Sequence, residues 1–335
     1  MDTTQTARLA YFPISLFGAI MGYSGLTLGF TKAHEVLGVS ALFYQALTLL
    51  TTLFFILITL TYLAKAFKYP EAVRQDLNDP IALHFFPTFS ISLVLLSILY
   101  KTSMPEMASV LWYLGAIIQF GLLLYIMNNW INHEKWQIAH LNPAWFIPVV
   151  GNILIPLGAP AFSHVELGWF FFSIGLIFWL ILNSIVMYRL FFHPPLLKLL
   201  EPTLFILIAP PAVGFISYMT LTGNQGIDDF ARILYYIALF LTILLLSQTK
   251  RFLRVPFALS WWAYTFPLGA ITVASFIMYQ HLKFDIFVYL AGFFLSVLSA
   301  LVLHLTLKTI MAIKSKKLCV APLPLSTPVV LISEK

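Results

Sequence analysis

Few residues in this chain have types and spacings that could do chemistry. The eight histidines show no HxxxH or HxxHH cluster of the kind a di-metal site needs, and no Cys/His ligand spacing occurs. The one cysteine, Cys319, has no internal disulfide partner. No glycine loop of the phosphate-cradling kind is present. An enzyme, a metal centre and a bound cofactor are therefore not expected, although haem pairing between helices stays open. His84, His140 and His304 lie toward the ends of apolar runs. They read as interfacial or packed side chains, with a titrating relay as the alternative.

Proline, glycine and one phenylalanine carry the remaining signal. Pro13, Pro87, Pro143, Pro148, Pro156, Pro210, Pro211 and Pro267 all fall in alternate apolar runs, and the runs between them have proline-free interiors. A proline inside a helix removes a hydrogen bond and frees the carbonyl four residues earlier, which is penalised in lipid unless protein or water satisfies it. Kinks at Pro87, Pro148, Pro210 and Pro267 therefore predict inward-facing helices. Gly18, Gly22, Gly25 and Gly29 share one helical face, which suits close helix packing or a side-chain-free pore wall. Gly151 and Gly214 are further candidates for that wall. Phe266, directly before Pro267, is the natural plug for a hydrophobic constriction. A plain core role competes with it, because the chain has 31 phenylalanines.

The elements that must position these residues follow from composition. The 335 residues are 60% hydrophobic and 10% charged, too few charges to cover a water-facing surface. The chain reads as an all-α polytopic membrane protein. Ten stretches lack Asp, Glu, Lys and Arg: 9–31, 36–64, 80–100, 107–132, 136–163, 167–188, 202–227, 233–249, 255–282 and 286–307. We number them spans 1 to 10. Span 1 is too long for a signal-peptide core and is expected to be retained. Residues 1–10 form an N-terminal segment, 11–312 the ten-helix domain and 313–335 a C-terminal tail. Fifteen of the 19 basic residues fall on the side of the termini, and only Lys32, Lys101, Arg232 and Lys283 on the other. That bias places both termini in the cytoplasm. It also removes the nucleic-acid reading of the +6 net charge, since the positive charge lies along a membrane. No charge lies deep in a span, which weighs against a proton-coupled pump.

The proline sorting predicts five helical hairpins, odd spans lining a central axis and even spans forming an outer wall. Five motifs, in order, resemble a known family. They are Phe12-Pro13 with Phe17-Gly18 and Gly22; Pro148-Val149-Val150-Gly151-Asn152; Leu200-Glu201-Pro202 with Ile208-Ala209-Pro210-Pro211-Ala212; Ile237-Ala238-Leu239-Phe240-Leu241; and Trp261-Trp262-Ala263-Tyr264-Thr265-Phe266-Pro267. Together, over about residues 11–310, they resemble the family of plant slow-type anion channels and the bacterial tellurite-resistance protein TehA. The resemblance implies a quasi-fivefold array of hairpins around a pore, a homotrimer, and a gating phenylalanine that falls on Phe266. It implies small inorganic or organic anions as partners, with chloride and nitrate through a passive channel as the leading reading. A dicarboxylate or sulfite carrier, or an efflux protein giving tellurite tolerance, is the alternative. A membrane enzyme and a non-conducting scaffold stand as rivals from other classes. A bacterial inner membrane is the expected location, with membrane lipid around the protein. One departure from TehA-like sequences is Ala19-Ile20-Met21, where an internal proline is expected, which predicts a straighter first helix.

Overall fold

The computed structural model describes residues 8–320, so the expectations for residues 1–7 and 321–335 lie outside the described residues. Ten α-helices follow the ten predicted runs: α1 (Phe17–Leu37), α2 (Ala41–Lys68), α3 (Pro87–Tyr100), α4 (Pro105–Asn132), α5 (Phe146–Leu154), α6 (Val165–Phe192), α7 (Ala209–Leu221), α8 (Asp229–Ser247), α9 (Thr265–Leu282) and α10 (Asp285–Lys314). Among the described residues nine helical stretches are long and apolar enough to cross a membrane. The fifth, Pro143–Leu157, is shorter than the expected run of 136–163. Prolines at both its ends confine it, and the chain on either side turns into short 3₁₀ segments.

Local sequence explains the helix ends. On the face opposite the termini the even helices begin, and each from α4 onward carries an acid in its first turn: Glu106, Glu166, Asp229 and Asp285. A carboxylate there complements the positive end of the helix dipole. Asp228 caps α8, its Oδ1 accepting the Ala231 N–H at 2.8 Å. Gly38 ends α1 in the left-handed region at φ +69°. At the other end, Lys65 and Lys68, Arg189 and Lys314 occupy the last turns of α2, α6 and α10.

The prolines act differently from the expected kinks. Each odd helix is preceded by a 3₁₀ stretch: Ile14–Leu16, Ala82–Phe85, Pro143–Trp145, Lys198–Ile208 and Leu259–Tyr264. Pro87 is the first residue of its α-helix, Pro210 the second, and Pro148 and Pro267 the third. At those positions the missing N–H has no intrahelical partner to lose. The carbonyl that proline would orphan is taken up by the preceding residue. Phe86 N–H donates to Leu83 O at 3.3 Å, and Ala209 N–H donates to Ile206 O. The prolines therefore mark a change of helix type rather than a bend in a continuous α-helix.

Burial sorts by parity. In an apolar 18-residue stretch of each of spans 1, 3, 7 and 9, 72–89% of residues are buried, against 11–39% in the even spans. The odd helices touch in a closed cycle, α1 to α3, α3 to α5, α5 to α7, α7 to α9, and α9 back to α1. Each even helix packs on its own odd partner and on the next odd helix, α10 closing the set against α9 and α1. The result is five hairpins with a buried inner ring and an apolar outer wall, as an all-α membrane protein requires.

Candidate functional site

Two cavities lie in succession along the inside of this ring. The inner cavity, about 60 Å³, is lined by the first halves of all five odd spans, including Gly18, Thr88, Val150, Ala209 and Pro267. None of its lining side chains is charged. The outer cavity, about 1020 Å³, opens between the ends of the inner helices on the face opposite the termini. Leu154 of α5, Val213 of α7 and Phe266 of α9 line both cavities, so they form the junction between them. Phe266 is 8% exposed. Its ring rests on α1, its Cδ2 lying 3.6 Å from where a Cβ on Gly25 would stand.

The glycines divide by what they face. Gly18 has open space around its missing side chain and lines the inner cavity. Gly22 does not line either cavity: a Cβ there would run into Thr265 Oγ1 and Trp262. Gly25 packs on Gly269 and Phe266 and reaches the outer cavity, whereas Gly29 packs on Leu295 of α10. Gly151 lines the inner cavity with Gln119 and Ile91 behind it. Gly214 turns away from both cavities toward Leu234 of α8. Close packing thus accounts for Gly22 and Gly29, Gly214 has only ordinary contact with Leu234, and Gly18 and Gly151 line the inner cavity, Gly151 with Gln119 packed against it. Of the four prolines, Pro267 lines the inner cavity, and Pro87, Pro148 and Pro210 line neither cavity.

A buried polar chain holds three helices in register beside the inner cavity. Ser90 Oγ donates to Gln119 Oε1 at 2.7 Å, and Gln119 Nε2 donates to the Pro148 carbonyl at 2.8 Å. Asn152 Nδ2 donates to the same carbonyl at 3.1 Å. In an apolar wall such satisfied pairs fix helix positions without placing charge in the lumen.

Of the histidines read as interfacial or packed, His84 is packed in the interior, His140 is half-buried and His304 is exposed. His84 is fully buried, stacked at 4.7 Å on Trp145, and its Nε2 accepts from Trp130 Nε1 at 3.1 Å. His140 Nδ1 accepts the Gln137 N–H at 3.3 Å, and the His304 ring lies 6.3 Å from that of Trp261. None of the three lines either cavity. Among the described residues no three His, Cys, Asp or Glu side chains converge to hold a metal ion.

Sequence reasoning missed two groups. Leu154 and Val213 are ordinary aliphatics whose position at the junction had no signal in the chain. Lys32, Lys101 and His281 line the outer cavity. Partial desolvation, with the Lys32 charge second, lowers the Lys101 ammonium pKa below its ordinary value.

Relatives match most of this chain in sequence. S-type anion channel SLAH2 of Arabidopsis thaliana is 32% identical over 276 residues, 80% of this chain and 52% of that protein. The chain therefore spans about half the length of that relative. Uncharacterized transporter MJ0762 of Methanocaldococcus jannaschii is 28% identical over 302 residues, 83% of this chain and 88% of the relative. The tellurite resistance protein TehA homolog of Haemophilus influenzae is 23% identical over 274 residues, 80% of this chain and 81% of that one. The family model described as voltage-dependent anion channel matches residues 11–310. With a match of that extent over a ring of five hairpins, the chain is an integral membrane protein that belongs to the voltage-dependent anion channel family.

Proposed function

We propose that the protein is a passive anion channel that conducts small anions such as chloride and nitrate, and that Phe266 holds its apolar pore shut. One observation carries this reading: among the described residues Phe266 is one of three common to the linings of the two axial cavities. A ring at such a junction blocks passage sterically and by dewetting, and its rotation would join the cavities. Leu154 and Val213 complete the constriction. The uncharged inner wall favours anions that dehydrate easily over strongly hydrated ones. Both termini lie in the cytoplasm of a bacterial inner membrane, on the strength of the fifteen-to-four division of basic residues. A homotrimer is the assembly. The protein is not an enzyme.

Phe266→Ala tests the gate. Flux of chloride, nitrate, sulfite and malate into proteoliposomes is compared for wild type and variant. Nitrate and chloride flux rises at least several-fold in the variant, and unchanged flux in a folded protein refutes the gate. The likeness to the TehA homolog favours a second reading, a carrier or tellurite-efflux protein. Uptake that requires a proton gradient, instead of following the anion gradient alone, would select it.

A further inference from the structure

We infer that the outer cavity contains a capture site for a small inorganic anion, nitrate or chloride, formed by Lys101 and Lys32 with His281. Its role as the pore's loading station rests on the channel reading above, but the binding itself does not.

The argument begins with topology. Odd helices end on this face and even helices begin on it. The negative dipole ends of the inner ring therefore favour cations near the axis, and the positive ends of the outer wall favour acids at the periphery. The sequence follows that rule. Six acids lie on this face, Glu35, Glu106, Glu166, Asp228, Asp229 and Asp285. Four sit in the first turns of outer helices and Asp228 caps one of them. Glu35 alone lines the cavity. Of the four bases on the same face, Lys32 and Lys101 line it, together with His34 and His281. A face with more acids than bases thus presents a positive throat inside a negative rim.

The two lysines are not equivalent. Lys32 Nζ pairs with Glu35 Oε2 at 2.6 Å. The Lys101 ammonium has no hydrogen-bond or ion-pair partner among the described residues, and Lys32 acts on it as a like charge while Glu35 partly offsets that. His281 lies within electrostatic reach of Lys32 and Lys283. With Lys32 paired to Glu35, the Lys101 ammonium carries the unbalanced positive charge of the cavity and gains most from a bound anion. The cavity is water-sized many times over, so a partly hydrated anion fits. Glu35, the one acid among the described lining residues, is already paired with Lys32.

The test uses the Phe266→Ala protein in planar bilayers, with nitrate raised on one side at a time. Adding Lys101→Gln raises the half-saturating nitrate concentration about five- to tenfold for anion presented to the outer mouth, a change screened by salt. Maximal flux stays within about twofold, Lys101→Arg restores the affinity, and anion presented from the termini face is much less affected. An unchanged half-saturating concentration in a conducting Lys101→Gln variant overturns the site. Binding is read separately in detergent. Nitrate in place of gluconate raises the melting temperature of the wild-type protein, and Lys101→Gln abolishes that rise. A wild-type protein indifferent to nitrate overturns the site whatever the flux. If Phe266→Ala carries no anion while nitrate still stabilises the protein through Lys101, the site stands and the channel reading falls.

Discussion

Gly25 and Gly269 face each other across the seam between α1 and α9, yet a methyl group added to one meets something different from a methyl added to the other. A Cβ on Gly269 would stand 2.7 Å from Gly25 Cα, 2.9 Å from its carbonyl carbon and 3.0 Å from its oxygen. All three are backbone atoms, so no side-chain rotation relieves the overlap. Ordinary carbon contacts lie at about 3.5–4.0 Å, so Gly269→Ala must part the two helices by about 1 Å. Overpacking of this kind costs on the order of 1–3 kcal/mol, and the better helix propensity of alanine returns less than about 1 kcal/mol. For a chain of 335 residues a net loss of about 2 kcal/mol corresponds to a fall of roughly 3 °C in melting temperature. From the opposite side, a Cβ on Gly25 would lie 3.5 Å from Gly269 Cα and 3.6 Å from Phe266 Cα and Cδ2, which is normal contact. Gly25→Ala is therefore neutral or slightly stabilising. The assay is paired thermal unfolding in detergent, followed by anion flux in proteoliposomes. Phe266 lies one turn before Gly269, so the parted seam also loosens the constriction and raises basal flux in Gly269→Ala. Equal melting shifts in the two variants, or a Gly269→Ala protein that melts with wild type, would refute this account of the seam.

Gly18→Ala folds with unchanged thermal stability, because nothing lies within 4 Å of the added methyl; it narrows the inner cavity and lowers the flux through a Phe266→Ala pore. Gln119→Leu costs about 1–2 kcal/mol in thermal unfolding and no more. The single Ser90 hydroxyl proton, given to Gln119 in the wild type, can turn to the Pro87 carbonyl 2.9 Å away, and the Pro148 carbonyl keeps Asn152. The Asp228 carboxyl is held below the usual carboxylate range by the Ala231 N–H first and the Tyr218 hydroxyl second. Its contribution is thus fully present above the ordinary value of about 3.9 and is lost as pH falls through the depressed folded value. Melting curves of wild type and Asp228→Asn therefore differ at neutral pH and converge under acid conditions.

The reach of the sequence can be judged residue by residue. Charge-free runs located the helices because lipid penalises charge, and the proline sorting separated inner from outer spans because each inner helix begins at a 3₁₀-to-α change that proline accommodates. What proline does locally was not legible. Apolar composition is the same for a 3₁₀ stretch such as Lys198–Ile208 and for an α-helix, and only the hydrogen-bond register distinguishes them. Phe266 stood out by its neighbour Pro267, whereas Leu154 and Val213 reach the same junction with no chemical mark. Gly22 and Gly214 failed as wall residues for a related reason: glycine serves close packing and open space alike, and the neighbour across the gap decides which. Lys32 and Lys101 were counted for orientation, but their convergence on one cavity needed the ring.

That ring has a consequence for how the chain is made. Four of its five inner contacts join helices that follow one another in synthesis, each with an outer helix between. The fifth joins α1 to α9 and unites the two ends of the domain through Gly25 and Gly269. Until α9 is made, the ring of inner helices cannot close, and the junction of Leu154, Val213 and Phe266 between the two cavities lacks its third member. Closing the wall and completing that junction are therefore one late event in the synthesis of the chain.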